Sequence, residues 1–292
     1  MPESVSIIIC TCNRAASLRA TLEAMGQMRV PPGRTVEGIV VDNASTDGSA
    51  VFIADNFPGV RLISNTKNLG FAAANNQALP HCQGSYLLFL NPDTILQDGC
   101  LATAITFMHS HPELGLAGLK ILNPDGSDQE SISYQYLSQR YTSGELAGLP
   151  GKIAAVMGAA MIAPREAINT VGGFDADFFL YGEDEDLCLR LRRRGFLIGY
   201  IPGARVIHYH GQSERRATAA EVWRKKIRAE YLFYRKHYRP ETIARISRWE
   251  LIKATWRLLT LQLGLPFMKN SHAAQEKIVK YSVLKDELRS TK

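Results

Sequence analysis

The feature that most constrains the fold is an alternation of apolar runs and helical patterns over the first hundred residues. Short runs rich in Val, Ile and Leu predict buried strands at residues 5–11, 37–45, 60–65 and 85–93. Between them, apolar residues recur at three- and four-residue steps, which predicts helices. This order predicts an α/β fold with a mostly parallel, Rossmann-like sheet and helices on both faces.

Each predicted strand ends in a polar group. The four groups are residues 11–14 (TCNR), 42–45 (DNAS), 65–68 (NTKN) and 91–93 (NPD). In an open α/β sheet, ligands bind at the carboxyl ends of the strands, so one crevice is expected to collect these side chains. The chain has neither a GxGxxG nor a GxxxxGK[ST] motif, which excludes the usual dinucleotide and P-loop signatures.

The second half of the chain combines loops, strands and helices. Residues 123–155 predict long loops, residues 156–164 predict a strand, and residues 197–213 (LIGYIPGARVIHYHGQS) predict a strand, a turn and a strand. From about residue 217 the pattern is helical and basic. We therefore predict one α/β domain over residues 1–215 and a helical C-terminal extension over residues 216–292.

Charge divides the chain at the same point. Residues 216–292 hold 18 Lys and Arg against seven Asp and Glu, whereas residues 1–215 hold 16 against 21. The acidic body argues against nucleic-acid binding, and the basic extension calls for an anionic partner such as a membrane surface.

Cysteine usage and hydropathy bear on location. The five cysteines are scattered, without a CxxC pair, which favours a reducing compartment. The sequence shows no signal-peptide pattern and no apolar stretch of about 18 residues. We expect a cytoplasmic protein, with peripheral attachment to the inner face of the cell membrane as a further expectation.

An apolar stripe lies in the extension. It comprises Ile246, Trp249, Ile252, Trp256, Leu259 and Leu263, and the cations Arg245, Arg248, Lys253 and Arg257 are expected off it. A helix packed on its own domain, a helix in a membrane interface and a dimer contact remain open.

Four consecutive acids, Glu183 to Asp186, follow an aromatic run in residues 178–190 (FFLYGEDEDLCLR). The simpler interpretation is a helix start, because first-turn acids and last-turn bases complement the helix dipole and Asp186 can pair with Arg190. The alternative is chemistry, because burial against aromatic residues raises the pKa of a carboxyl group and makes it a useful base.

Seven motifs in sequence order carry a resemblance to a known family. They are VSIIICTCNR, VVDNASTDGS, NLGFAAANN, FLNPDT, MGAAMIAPREA, VGGFDADFFLYGEDEDLCLRLRRRG and HYHGQS, and they cover roughly residues 4–215. The chain resembles inverting glycosyltransferases of family 2 with the GT-A fold, in the rhamnosyltransferase-like branch that builds bacterial surface polysaccharides.

The resemblance implies a nucleotide-sugar site. Asp42 would hydrogen-bond the pyrimidine, and the other implied residues would line the nucleotide, ribose and diphosphate. The implied set is Thr11, Asn13, Arg14, Asp42, Asn43, Asn68, Gly70, Asn75, Asn91 and Asp93. Gly158 and Ala159, in the MGAAMIAPREA motif, would lie on the acceptor side.

The resemblance also implies a metal and a base. Asp93 and His208 would bind Mn²⁺ or Mg²⁺, with His210 as an alternative ligand, although Asn91 stands where the family's motif has an acid. The ED motif falls on Glu183 and Asp184, so Asp184 would be the general base, with Glu183 and Asp186 in support. A helix shifted by one residue would make Glu183 the base.

The implied reaction is transfer of a sugar, most simply rhamnose from dTDP-rhamnose, to a glycan or a lipid-linked glycan. UDP- and GDP-sugars remain open as donors. A nucleotidyltransferase and a non-catalytic nucleotide-sugar binding module are the other classes considered. The sequence leaves the acceptor, the linkage and a homo-oligomeric state undetermined.

Overall fold

The computed structural model describes residues 4–28, 30, 33–142, 144–209, 217–264 and 271–290. The chain divides into two compact units. A sheet unit consists of Met1–Tyr136, Gly148–Phe179 and Glu183–Gln212, and a helical unit consists of Leu137–Ala147, Leu180–Gly182 and Ser213–Lys292. The predicted boundary between residues 215 and 216 falls outside the described residues and stays a prediction.

The sheet unit contains ten strands within the described residues. They are β1 (Ser4–Thr11), β2 (Thr35–Asp42), β3 (Val60–Ser64), β4 (Tyr86–Leu90), β5 (Thr94–Leu96), β6 (Leu114–Leu122), β7 (Ile132–Ser133), β8 (Ala155–Val156), β9 (Ala160–Pro164) and β10 (Leu197–His208). Eight of them form one sheet in the order β3-β2-β1-β4-β9-β6-β10-β5, and β7 pairs with β8 in a small separate sheet.

Strand directions confirm the predicted α/β class. Strands β3, β2, β1 and β4 are neighbours and parallel, so their carboxyl ends lie at one edge of the sheet. Strand β9 runs antiparallel between β4 and β6, and β5 is antiparallel to β10 at the other end. The sheet is thus mostly parallel in its first half and mixed in its second.

Six α-helices of the described residues belong to the sheet unit. They are α1 (Ala15–Gln27), α2 (Ser49–Asn56), α3 (Phe71–Ala78), α4 (Cys100–Ser110), α5 (Arg165–Val171) and α6 (Glu183–Arg193). Leu18 and Leu22 of α1 and Ile105 of α4 pack with strand residues such as Ile7 and Leu88 in the main core. The helical spacing read from Leu18 and Leu22 therefore identified residues that the fold buries.

Two expectations for the second half need correction. Residues 197–208 form one strand rather than a strand, a turn and a strand. The register with β6 shifts between Ile201 and Arg205, so Pro202 and Gly203 lie in an irregularity within the strand. The predicted strand over residues 156–164 is broken into β8 and β9 by the loop 157–159. Both differences arise from pairing with strands distant in sequence.

The helical unit holds α7 (Ala219–His237), α8 (Pro240–Gly264) and α9 (Ser271–Ser290). Ile227, Ala254, Val283 and Leu284 form its core, one or more from each helix. Arg224 and Arg228 form ion pairs with Glu287, which join α7 to α9. None of the described helices is long and apolar enough to cross a membrane.

Candidate active site

The first part of the site lies where β1 and β2 end. Thr11 and Asp42 are opposite each other in the register of these parallel strands, and both are buried. Thr11 Oγ1 and Asp42 Oδ1 are buried without a hydrogen-bond partner, while Asp42 Oδ2 accepts from the Ser45 amide at 3.2 Å. Buried polar atoms are normally paired, so these two atoms indicate a place where a ligand supplies the missing partners.

The loops after β1 and β2 are tied together by Asn13. Its backbone amide donates to Ser45 Oγ at 2.8 Å, and its Oδ1 accepts from the Thr46 amide at 2.7 Å. Asn13 and Ala44 both have positive φ angles, of 55° and 62°. Strained backbone of this kind persists where surrounding contacts hold it, and it is frequent at ligand sites. Arg14 follows at the start of α1 and is partly exposed.

The third loop is organised by a buried asparagine. Asn43 Nδ2 donates to Asn68 Oδ1 at 2.8 Å and to the Gly70 carbonyl at 3.1 Å, and its Oδ1 accepts from the Leu69 amide at 2.9 Å. Gly70 has φ +85°, and a Cβ added there would lie 2.6 Å from the Phe179 carbonyl oxygen. Only glycine therefore fits this close approach of two backbones.

Asn75 lies one turn further along, inside α3. It is buried, and its Nδ2 donates to the Phe71 carbonyl at 2.9 Å within the same helix. Its predicted contact with a nucleotide-sugar stays a prediction, whereas Asn43, Asn68 and Gly70 are brought together directly.

The predicted metal ligands Asp93 and His208 also meet. His208 Nε2 lies 3.3 Å from Asp93 Oδ1, and both side chains are buried. Asn91 Nδ2 lies 3.5 Å from the same nitrogen, and rotating the amide by 180° would bring its oxygen there. The described part of the chain contains no group of three or more His, Cys, Asp or Glu side chains placed to bind one metal ion, so this site offers two such ligands, Asp93 and His208. His210 lies outside the described residues.

Sequence reasoning missed Gln129, in the loop after β6. Its Oε1 lies 3.2 Å from His208 Nδ1, and its backbone amide donates to the Ile121 carbonyl at 3.0 Å. When Nδ1 carries the proton, it donates a hydrogen bond to Gln129 Oε1, and Nε2, on the side of Asp93, keeps the lone pair that a metal ligand needs. Only the polarity of this loop stood out in the sequence, so nothing there indicated this contact.

This donor set fits a divalent cation. A carboxylate, an imidazole nitrogen and an amide oxygen are ligands that Mn²⁺ accepts, and a histidine oriented through its second nitrogen is usual at such sites. Two or three protein ligands leave positions for the oxygens of a diphosphate.

The loop 157–159 joins this cluster to the acidic quartet. The Gly158 amide donates to Asp184 Oδ2 at 3.0 Å, and the Ala159 carbonyl accepts from the Asn91 amide at 2.9 Å. A Cβ added at Gly158 would lie 3.4 Å from the Asp184 Cβ, in ordinary contact. Of the predicted acceptor-side residues, Gly158 therefore contacts the predicted base, and Ala159 contacts the predicted metal loop.

Glu183 and Asp184 have different surroundings. Glu183 is 7% exposed, and its Oε2 is buried without a hydrogen-bond partner. Burial and the neighbouring Asp184 raise the pKa of Glu183 to about 8. Burial also raises the pKa of Asp184, but its carboxylate accepts from the Gly158 and Glu185 amides, which favours the charged form.

Asp186 has a structural setting. It is fully buried and pairs with Arg190, whose Nε lies 2.7 Å from Asp186 Oδ2. Arg190 Nη1 also donates to the Val171 and Gly173 carbonyls at 2.9 and 2.8 Å. The predicted pairing four residues apart is therefore present, and it fixes α6 to the end of α5. A direct catalytic part for Asp186 stays a prediction.

The comparisons with known proteins identify the class. The model of the family described as "Glycosyl transferase family 2" matches residues 6–172, which is more than half of the chain. The chain belongs to glycosyltransferase family 2. The resemblance to its rhamnosyltransferase-like branch is confirmed, and so is the assignment as a glycosyltransferase.

Among curated proteins, the chain is 27% identical over 219 residues to the N-acetylglucosaminyl-diphospho-decaprenol L-rhamnosyltransferase of Mycobacterium tuberculosis H37Rv. That match covers 65% of this chain and 71% of the relative. It is 28% identical over 217 residues to Rhamnosyltransferase WbbL of Escherichia coli K12, covering 67% of this chain and 81% of that protein.

Solved structures support the GT-A fold. The chain resembles the mannosyltransferase PcManGT from Pyrobaculum calidifontis, determined with GDP-Man and Mn²⁺, with a TM-score of 0.63 at 17% identity, over 99% of this chain and 87% of that one. It also resembles residues 1–349 of S. aureus TarS in complex with UDP, with a TM-score of 0.55 at 14% identity, over 99% and 92%.

Proposed function

We propose that this glycosyltransferase is metal-dependent and inverting, and that it moves rhamnose from dTDP-rhamnose to a hydroxyl of a glycan or lipid-linked glycan in bacterial surface polysaccharide synthesis. The observation that carries the proposal is the loop 157–159. It contacts Asp184 through Gly158 and the Asn91 loop through Ala159, so a base and a diphosphate-binding cluster adjoin one short segment.

The nucleotide would bind at the ends of β1 and β2. The unpartnered Asp42 Oδ1 is an acceptor suited to the imide N–H of thymine or uracil, and Thr11 Oγ1 beside it can donate or accept. Asn43 and Gly70 hold the neighbouring loop, where the ribose and diphosphate would lie. The two rhamnosyltransferase relatives support rhamnose as the sugar.

Asp93, His208 and Asn91 would hold Mn²⁺ or Mg²⁺ against the diphosphate, with Gln129 fixing the histidine ring. When bound, a divalent cation stabilises the negative charge that develops on the leaving diphosphate.

Asp184 would act as the general base. Its carboxylate takes the proton of the acceptor hydroxyl while the acceptor oxygen attacks the anomeric carbon. The bond from that carbon to the diphosphate oxygen breaks with its electron pair on the opposite side, so the anomeric centre inverts. Positioned base catalysis of this kind contributes about 10²- to 10⁴-fold to the rate. Glu183 is the poorer candidate, because burial and the Asp184 charge raise its pKa, whereas the Gly158 and Glu185 amides stabilise the charged form of Asp184.

The acceptor and the location follow from the same proposal. A lipid-linked acceptor requires the enzyme at a membrane surface. Residues 216–292 hold 18 Lys and Arg against seven Asp and Glu, and this positive charge suits the anionic inner face of a bacterial cell membrane.

Titration of the full chain with dTDP, UDP and GDP, each with and without Mn²⁺, tests the donor site. The expected result is Mn²⁺-dependent binding of dTDP, followed by slow release of rhamnose from dTDP-rhamnose to water. Preference for UDP or GDP would replace the proposed sugar donor. Absence of binding to all three with metal present would contradict the site itself.

Two activity assays separate the other classes considered from the sequence. A non-catalytic binding module would bind the donor but release no sugar over hours. A nucleotidyltransferase would form pyrophosphate from a nucleoside triphosphate and a sugar phosphate, which a pyrophosphate assay detects.

A further inference from the structure

Helix α8 has two apolar faces. Ile246, Ala254, Leu258 and Leu261 are buried on the first face, and Ala254 belongs to the core of the helical unit. Through Ala254, this face packs α8 in one core with Ile227 of α7 and Val283 of α9.

The second face is exposed. It consists of Trp249, Ile252, Trp256, Leu259 and Leu263, which we call the outer stripe, and these side chains are 51–68% exposed. Their steps of three and four residues place them on one side of a helix. The structure corrects the sequence expectation at one position, because Ile246 belongs to the buried face and not to this stripe. Large exposed apolar surfaces of this kind mark interaction sites.

Charged side chains along the stripe are mainly basic. Arg248, Lys253 and Arg257 are exposed next to it. Glu250 is only partly buried by area, but its Oε2 accepts from Tyr231 Oη at 3.0 Å, so this acid is engaged with α7. The outer surface of α8 therefore combines two tryptophans, three aliphatic side chains and a positive charge.

We propose that the outer stripe binds the surface of a membrane containing anionic lipids, with α8 lying in the plane of the interface. Tryptophan prefers this boundary, aliphatic side chains enter the acyl region, and Lys and Arg beside them attract anionic headgroups. The inference deepens the proposed function and rests on it for its purpose, since a lipid-linked acceptor lies at such a surface.

A second copy of the chain fits the stripe less well. A two-fold symmetric contact brings the same surface of both copies together. Arg248, Lys253 and Arg257 of one copy would then lie near the same cations of the other, and like charges across an interface are unfavourable.

Co-sedimentation of the full chain with vesicles tests the inference without donor or acceptor. Vesicles of phosphatidylcholine alone are compared with vesicles that contain phosphatidylglycerol, at low and high salt. One variant carries Trp249→Ser, Trp256→Ser and Leu259→Ser, and a second carries Arg248→Gln, Lys253→Gln and Arg257→Gln. Ile252→Ser and Val51→Ser form a matched single pair, because Val51 is an exposed apolar residue on α2.

The wild type is expected to bind the anionic vesicles. Both triple variants should lose about tenfold or more in affinity, because one removes apolar side chains that enter the interface and the other removes cations that attract anionic headgroups. Ile252→Ser should weaken binding while Val51→Ser leaves it unchanged. Blue-shifted tryptophan fluorescence on binding should survive in the charge variant at saturating lipid. Circular dichroism and thermal unfolding verify that each variant is folded.

Three results would overturn the inference. They are full binding by the stripe variant, equal binding to neutral and anionic vesicles, and concentration-dependent dimerisation in solution that the stripe variant abolishes while vesicles bind neither protein. Release of sugar from the donor, measured without vesicles, reports the proposed function separately. A chain that turns over donor but ignores vesicles disproves only the membrane contact.

Discussion

Helices α6 and α8 depart from the usual distribution of side chains in opposite directions. The first turn of α6 buries acids, with Glu183 at 7% and Asp186 at 0% exposure. The outer stripe of α8 leaves two tryptophans more than half exposed. Carboxylates are normally found in water and tryptophans are normally largely buried, so both helices carry an arrangement that folding alone does not favour.

The two cases teach different things about function. In α6, Asp186 has the partner Arg190, whereas Glu183 Oε2 has no hydrogen-bond partner, so the unfavourable burial is concentrated next to Asp184. In α8, the buried face already satisfies packing, so the exposed face is surplus to the fold of the helical unit. The first departure points to chemistry and the second to a partner.

The largest effect expected is on catalysis at α6. Asp184→Asn should lower transfer by about 10²- to 10⁴-fold, because the amide cannot take the acceptor proton. Binding of the donor nucleotide should be retained, since Asp42 and Thr11 are unchanged. Initial rates and nucleotide titrations measure the two quantities.

Glu183→Gln is the matched control at the neighbouring residue. The amide keeps the shape of the carboxyl group, and the proposed base Asp184 is unchanged, so most of the activity should remain. Full activity in Asp184→Asn together with loss of activity in Glu183→Gln would make Glu183 the base and Asp184 the supporting residue.

The next effect separates the two faces of α8 with one residue type. Ile246→Ala should cost about 2–4 kcal/mol in free energy of unfolding, because the side chain is fully buried. Ile252→Ala should change it by no more than about 0.5 kcal/mol, because that side chain is 53% exposed. Urea unfolding followed by circular dichroism measures both; equal costs would mean that the outer stripe is packed after all.

Metal affinity is expected to depend on Gln129. Gln129→Ala should weaken Mn²⁺ binding by about 10- to 100-fold, because His208 loses the partner that orients its ring. Gln129→Glu should restore it, since a carboxylate accepts the Nδ1–H hydrogen bond at least as well. Calorimetric titration with Mn²⁺ in the presence of dTDP gives the affinities.

Gln83→Ala serves as the control for that experiment, because Gln83 is exposed and its side chain has no part in the site. Reduced turnover with unchanged Mn²⁺ affinity in Gln129→Ala would contradict the orienting part assigned to this residue.

The smallest effect concerns pH and the burial of Glu183. Its pKa is raised from 4.5 to about 8 in the folded chain, so the unfolded chain loses the proton first as pH rises. Stability from this group is full below about pH 4.5 and is lost progressively up to about pH 8. Glu183→Gln removes this loss, so its melting temperature relative to the wild type should rise between about pH 4.5 and about pH 8.

Thermal unfolding of both proteins from pH 5 to pH 9 tests this. Asp55→Asn, on the surface of α2, provides the control for removing one carboxylate. A difference between Glu183→Gln and the wild type that is constant over the whole range would mean that Glu183 is ionised in the folded chain.

Much of the sheet unit could be predicted from local pattern. The apolar runs at residues 5–11 and 37–45 and the spacing of Leu18 and Leu22 report burial directly, because one face of each element must meet the core. The order of strands and helices then fixes which edge collects Thr11, Asp42 and Asp93. The continuity of β10 was not predictable, because Pro202 and Gly203 signal a turn locally and only pairing with β6 carries the strand through them.

By itself, the sequence determined the α/β class, the polar strand ends, the ED pair and the basic extension, since these depend on residue type and spacing along the chain. The tertiary structure set which polar atoms are left without partners, brought Gln129 to His208 across 79 residues, and buried Ile246 while leaving Trp249, three residues further along α8, exposed. The physical reason is that burial and hydrogen bonding depend on neighbours brought together from distant parts of the chain.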